Sequence, residues 1–310
     1  MSVFRVMGIC LPAMIFLSSC AGVQESVRNW DAGFLSVEGG ADGEREVEVT
    51  VDGQPVKFLV DPGFGAMRLL NNSAAQQIGL RPSAIAGGYE IGPVMLTSRS
   101  STAQLDSENY TGPARFHWFG QDVTTRADGL ISPVVLPYGT IRFELGPSQI
   151  GEEIRSLPLE GSGIYGVSGG YGKLLVRDDI IRVAIDLNVE DAVASADVGA
   201  LLRETNGGRF VGVSEEREIR YGVVRPVLRL VLDNPLIVAG LRVEWVFVEV
   251  ERAGMLAQED SDPETIIVTA RTNRNDRDYR LTLGQAQLRS CTFFEFNNQA
   301  SLLSFNCTFG

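Results

Sequence analysis

The sequence predicts an all-β protein, β-rich with a few short helices, folded as two lobes that repeat one another. Three observations carry this reading. Apolar residues recur at every second position over much of the chain, which is the strand period. The same order of parts occurs twice: a hairpin, an aspartate with glycine nearby, a short helix stopped by glycine, more strands and an apolar closing segment. Once an N-terminal leader is set aside, about 290 residues remain, which suits two domains of ordinary size rather than one small core.

The leader is "MSVFRVMGICLPAMIFLSSC". One cation, Arg5, precedes an apolar run that is too short for a stable membrane anchor and ends in small residues, the build of a secretory signal. Cys20 directly follows Leu-Ser-Ser, which resembles a bacterial lipobox. That resemblance implies a signal peptide over residues 1–19, lipid on Cys20 and a polar tether over 20–43. Ala21, a non-aspartate after the cysteine, implies the outer membrane, with the chain facing the periplasm. An ordinary signal cleaved elsewhere is the alternative.

Charge and rare residues prune the functional classes. Without residues 1–19 the chain has 26 basic and 39 acidic side chains, a net charge of −13, which leaves no basic excess to neutralise phosphates and argues against nucleic acid as a partner. His117, in "ARFHWFG", is the only histidine, so a zinc site of several imidazoles cannot be built. Between Phe116 and Trp118 it reads as a half-exposed structural residue rather than a triad base. Cys10 leaves with the signal and Cys20 with the lipid. Cys291 and Cys307 are then expected to form a disulfide in an oxidising compartment, with two buried thiols as the alternative. Carboxylates are the leading candidates for catalysis.

The first lobe, residues 44–155, opens with "REVEVTVDGQPVKFLVD". Val47, Val49 and Val51 alternate, Asp52-Gly53 turns, and Val56, Phe58 and Val60 return: a β-hairpin. "NNSAAQQIGL" reads as a short helix capped by Asn72 or Ser73 and stopped by Gly79. Strands follow near "PVMLTSRSSTAQL" and "ARFHWFGQDVTTR", and "DGLISPVVLPYGTIRFELG" closes the lobe. Residues 156–172 form a glycine-rich linker. Gly161, Gly163 and Gly166 satisfy G-x-G-x-x-G literally but do not lie between a strand and a helix, so nucleotide binding is not expected.

The second lobe, residues 173–310, repeats the plan. "GKLLVRDDIIRVAIDL" is a hairpin, "ASADVGALLRETNGG" a helix, "PVLRLVLDNPLIVAGLRVEWVFVEV" a strand pair turning at Ala239-Gly240, and "YRLTLGQAQLRSCTFFEFNN" the closing segment. Leu136 lies four residues after Ser132 and Leu288 four after Gly284, which lays the two closings over one another. "AQEDSDPETIIVTARTNRNDRDYR" reads as an exposed loop around one strand.

The stretch "VTVDGQPVKFLVDPGFGAMRLLNNSAAQQIGL" resembles the retropepsin-like and pepsin-like aspartyl proteases, in which a hairpin delivers Asp-Thr-Gly and a helix follows. "ADGLISPVVLPYGTIRFEL" is similar to the segment that supports the aspartate loop, and "LTLGQAQL" matches it again. In the second lobe "DVGA", Asp197 to Ala200, echoes Asp-Thr-Gly-Ala. The resemblance implies two β-barrel lobes and a dyad of Asp61 and Asp197 that shares a proton and activates water, with no metal, cofactor or covalent intermediate. Gly63 and Gly199 would let the backbone approach the carboxylates, and a β-hairpin would cover the cleft as a flap. Asp186, Glu190 and Asp191 stay open as other second carboxylates, although "NVED" reads as a solvated turn.

The family's two threonines, which bond across the lobe interface, are replaced by Pro62 and Val198, and Phe64 is bulky where the family has a small residue. Three readings follow: an envelope-anchored aspartic endopeptidase acting on peptide or protein substrates, a catalytically inactive relative that binds extended peptides or a protein partner in its cleft, and a structural envelope protein. A monomer suffices, since both lobes lie on one chain.

Overall fold

The computed structural model describes residues 33–40, 43–63, 65–83, 87–91, 94–160, 170–250 and 278–309. The leader, Cys20, most of the tether, Phe64, most of the glycine-rich linker and most of the charged loop after the second strand pair lie outside the described residues.

The chain is all-β. The first lobe contains β2 (Glu46–Val51), β3 (Gln54–Val60), β4 (Arg68–Leu70), α1 (Asn72–Ile78), β5 (Gly87–Ile91), β6 (Val94–Ser107), β7 (Tyr110–Trp118) and β8 (Gly129–Ile131). Their order in the sheet is β2-β3-β8-β4-β7-β6-β5, and pairing of β2 with β6 closes six of the strands into a barrel. The hairpin that starts it follows from its sequence. Val49, Val51, Val56, Phe58 and Val60 are buried, and Asp52 and Gly53 take positive φ of 47° and 81°, as a two-residue turn matching the strand twist requires. Phe58 and Phe116 stack at 6.3 Å inside the barrel. Helix α1 begins one residue earlier than its sequence suggests, because Asn71 takes the cap position and spends its side chain on Val123, Thr124 and Ala127 of a neighbouring loop.

The second lobe contains β11 (Gly172–Val176), β12 (Asp179–Ile185), β13 (Val193–Ala194), α2 (Ala196–Asn206), β14 (Arg209–Arg220), β15 (Val223–Val238), β16 (Leu241–Glu249) and β17 (Arg280–Leu283). Their order is β11-β12-β17-β13-β16-β15-β14, the order of the first lobe strand for strand. Registers agree as well. Val60 faces Ile131 across the parallel β3–β8 pair, and Ile185 faces Leu283 across β12–β17. This sheet differs in remaining open among the described residues: β11 bridges through Gly172 to Leu159 instead of meeting β15.

A third sheet joins the lobes. It orders β1 (Phe34–Glu38), β9 (Thr140–Glu144), β18 (Cys291–Asn297), β19 (Leu302–Cys307) and β10 (Glu153–Pro158), with β9 of one repeat antiparallel to β18 of the other at its centre. Phe143 and Phe294 stack there at 4.6 Å, adding about 0.5–1.5 kcal/mol beyond the area they bury. Cys291 and Cys307 are joined by a disulfide across β18 and β19. The turns before β9 and β18 are a short 3-10 helix, Pro133–Val135, and α3 (Gln285–Leu288), capped by Ser132 and Gly284, the two residues that the closing segments place in register.

Candidate active site

Asp61 directly follows β3 and Asp186 directly follows β12, so the repeat puts them at equivalent positions. Each is fixed the same way. The Asp61 N–H donates to Ile131 O at 2.9 Å and the Asp186 N–H to Leu283 O at 2.9 Å. Each carboxylate then accepts from the backbone two residues on: Gly63 N–H donates to Asp61 Oδ1 at 2.7 Å, and Asn188 N–H to Asp186 Oδ1 at 2.8 Å. Asn188 adds its side-chain Nδ2, also to Asp186 Oδ1, at 3.0 Å.

The two loops touch. A Cβ on Gly63 would lie 3.0 Å from Ile185 O and 2.9 Å from Asp61 Oδ1, so only glycine allows this approach. The closing segment of the second lobe holds its aspartate loop from behind: Gln285 N–H donates to Val189 O, Ala286 N–H to Glu190 O, and Gln285 Nε2 to Leu187 O.

Burial pushes the Asp61 carboxyl up to about 6, and the nearby Asp186 charge adds to this; Arg220, the Gly63 N–H and Arg45 oppose it. As a whole residue Asp61 keeps some solvent contact, through a pocket of about 490 Å³ lined also by Leu59, Asp186, Asn188, Arg220 and Tyr221. In that range a pair of neighbouring carboxylates can hold one proton between them.

The structure does not bring Asp197 to this pair. Asp197 sits in the first turn of α2, where Oδ2 accepts from the Asp278 N–H at 2.8 Å, and it is absent from the pocket wall. With Ser195 at the cap position that Asn71 holds in the first lobe, Asp197 matches Ser73. Gly199 follows it into the helix, where a Cβ would overlap Val248 of β16; its role is helix packing. The residue opposite Pro62 is consequently Leu187, not Val198. Neither side chain bears a hydroxyl, so no threonine-like bridge links the loops. Glu190 pairs with Arg289 and Asp191 with Arg217, which leaves Asp186 facing Asp61.

Two residues unremarked in the sequence complete the site. Arg45, just before β2, is wholly buried and donates Nη2 to Asn188 Oδ1 at 3.1 Å. Arg220, last in β14, donates Nη2 to Gly63 O and Nη1 to Tyr89 Oη at 3.3 Å. The turn after it, Tyr221-Gly222, has φ of 52° and 76° and carries Tyr221 into the first lobe. There the ring packs 5.5 Å from Phe119 and 5.7 Å from Tyr89, while Gln121 Nε2 donates to Tyr221 O at 2.8 Å. Arg225 donates to Ile91 O at 3.4 Å, so the β14–β15 hairpin is tied to β5 as well. A hairpin of the second lobe thus lies over the carboxylates.

His117 pairs with Leu69 across β7 and β4, and burial together with Arg115 and Arg68 pushes its imidazole down to about 4. Among the described residues no group of three or more His, Cys, Asp or Glu side chains is placed to hold a metal ion. No protein-family model matches the chain, and no curated protein matches it.

Proposed function

We propose that the protein is an aspartic-type endopeptidase of the bacterial envelope, held by a lipid on Cys20, that hydrolyses peptide bonds with Asp61 and Asp186. The observation that carries the reading is the placement of two carboxylates at equivalent strand ends in touching loops, with one of them pushed up to about 6. Asp61 carries the proton of the pair and donates it to the scissile carbonyl oxygen. Asp186 takes a proton from water as the water oxygen bonds to the carbonyl carbon. Collapse of the tetrahedral diol breaks the C–N bond as Asp186 gives its proton to the leaving amine nitrogen, while Asp61 takes one back from a diol hydroxyl and the C=O bond re-forms. No metal or cofactor enters this scheme.

The test is cleavage of an unfolded protein at about pH 4 to 6, with and without pepstatin. Asp61→Asn and Asp186→Asn should each abolish pepstatin-sensitive cleavage, and Asp197→Asn should retain it. Activity surviving Asp61→Asn or Asp186→Asn sinks the dyad.

Arg220 favours a second reading, an inactive relative that binds extended peptides or a protein partner. Its guanidinium sits on the Gly63 carbonyl beside Asp61, where it supports the ionised rather than the protonated carboxyl. Peptide binding that survives Asp61→Asn, with no product at any pH, selects this reading.

A further inference from the structure

Arg45 is an expensive residue to place where it stands. Its guanidinium is wholly removed from solvent, and burial lowers its affinity for a proton. Nε and Nη1 have no hydrogen-bond partner, and a buried unpaired donor costs about 1–3 kcal/mol. What surrounds it explains the choice: its own carbonyl accepts from Val60 N–H at 2.8 Å, one residue before Asp61, and its Nη2 reaches Asn188 Oδ1 in the other lobe. Asn188 passes the contact on, with Nδ2 on Asp186 Oδ1. A continuous path of three hydrogen bonds therefore runs from the strand that carries Asp61 to the carboxylate of Asp186.

We propose that Arg45 is a positioning residue, which clasps the Asp186 loop to the Asp61 strand through Asn188 and so fixes the separation of the two carboxylates. The clasp does what no side chain at positions 62 and 187 can do, since proline and leucine offer no donor. It also sets a positive charge near both carboxylates, which stabilises the single negative charge of the pair. This inference rests on the hydrolytic reading above for its consequence, though the clasp can be read independently.

Asp61 is faced by Asp186 at the end of β12, Arg220 of β14, Arg45 before β2 and the Tyr221 hydroxyl of the β14–β15 turn. Its titration, followed by NMR of carboxyl-labelled aspartate in the folded protein, reports the clasp directly. Arg45→Met removes a neighbouring cation, and the Asp61 midpoint should rise by about half a unit to one unit. Asn188→Ala keeps the cation but releases Asp186, so the midpoint should fall toward the ordinary carboxyl range. Arg45→Lys, which keeps the charge without the reach to Asn188, should behave as Asn188→Ala does, with a lowered midpoint and low turnover. In hydrolysis, Asn188→Ala should lower kcat about a hundredfold and change KM by less than about threefold, as a loss of alignment does. Midpoints unmoved in both Arg45→Met and Asn188→Ala, with only the melting temperature reduced, overturn the proposal. Should Arg45→Met fail to fold, Asn188→Ala decides alone, because Asn188 is solvent-exposed. A wild-type protein that cleaves nothing refutes the proposed function, while the midpoints still decide the clasp.

Discussion

Arg220 of the second lobe donates to the carbonyl oxygen of Gly63 in the first, two residues from the carboxylate of Asp61. The bond joins a hairpin turn to the floor of the cleft. With Tyr221 seated against Phe119 and Tyr89, it holds the turn beside the carboxylates, where, on the proposed function, an extended peptide would bind. A binding site whose open form is a minor fraction shows an affinity reduced by that fraction. Arg220→Met should loosen the turn, and the affinity for an unstructured peptide, measured by calorimetry, should rise about tenfold. An unchanged or lower affinity means that the turn forms part of the binding surface.

The raised Asp61 carboxyl has a consequence for stability that a structural aspartate would not have. Its folded value of about 6 lies above the unfolded value of 3.8, so between these pH values the folded protein binds more protons than the unfolded one. Its favourable contribution is therefore complete below pH 3.8 and is lost as pH rises through about 6. Asp61→Asn, which cannot ionise, should be more stable than wild type at pH 7.5 by about 1–3 kcal/mol, with the gain vanishing near pH 4. Thermal melts across that range check it. A variant less stable at every pH would show that the ionised carboxylate is fully compensated.

The fold was legible because its signals are periodic. Alternating valines, the Asp52-Gly53 and Ala239-Gly240 turns and the Ser132/Gly284 register all follow from local chemistry that needs no partner. The first carboxylate was legible for the same reason: Asp61 stands at the end of an apolar strand and before a glycine. Its counterpart in the repeat, Asp186, is masked by a closer match to the motif. "DVGA" carries the glycine, but it begins a helix, whereas "AIDLN" repeats the feature that matters mechanically, an aspartate closing the return strand of a hairpin. There Asn188 supplies the backbone donor that Gly63 supplies in the first lobe. Arg45 and Arg220 could not be read at all, because their partners lie 143 and 157 residues away.

Asp197 is accordingly expected to act on stability alone. Its carboxylate satisfies the Asp278 N–H, and Asp197→Ala should leave that donor unpaired at a cost of about 1–2 kcal/mol. The Asp61 midpoint and any hydrolysis should be unaffected at temperatures where the variant is folded. A moved midpoint would return Asp197 to the site.

Gly63 and Gly199 separate the two kinds of glycine in the repeat. At Gly199 a methyl group would press on Val248 in the interface of α2 with β16, so Gly199→Ala should cost about 1–3 kcal/mol through overpacking and leave the carboxylates aligned. At Gly63 the obstacle is the backbone oxygen of Ile185 and the Asp61 carboxylate itself, neither of which can rotate away cheaply. Gly63→Ala should part the two aspartate loops by a few tenths of an ångström or more. Displacement of that order reaches the carboxylate spacing directly, because Ile185 immediately precedes Asp186. The expected result is a drop in turnover by up to about a hundredfold with a smaller change in melting temperature than Gly199→Ala produces. Equal loss of turnover in both variants would mean that the lobes transmit strain from helix to cleft, and that contact between the loops is not what holds the pair.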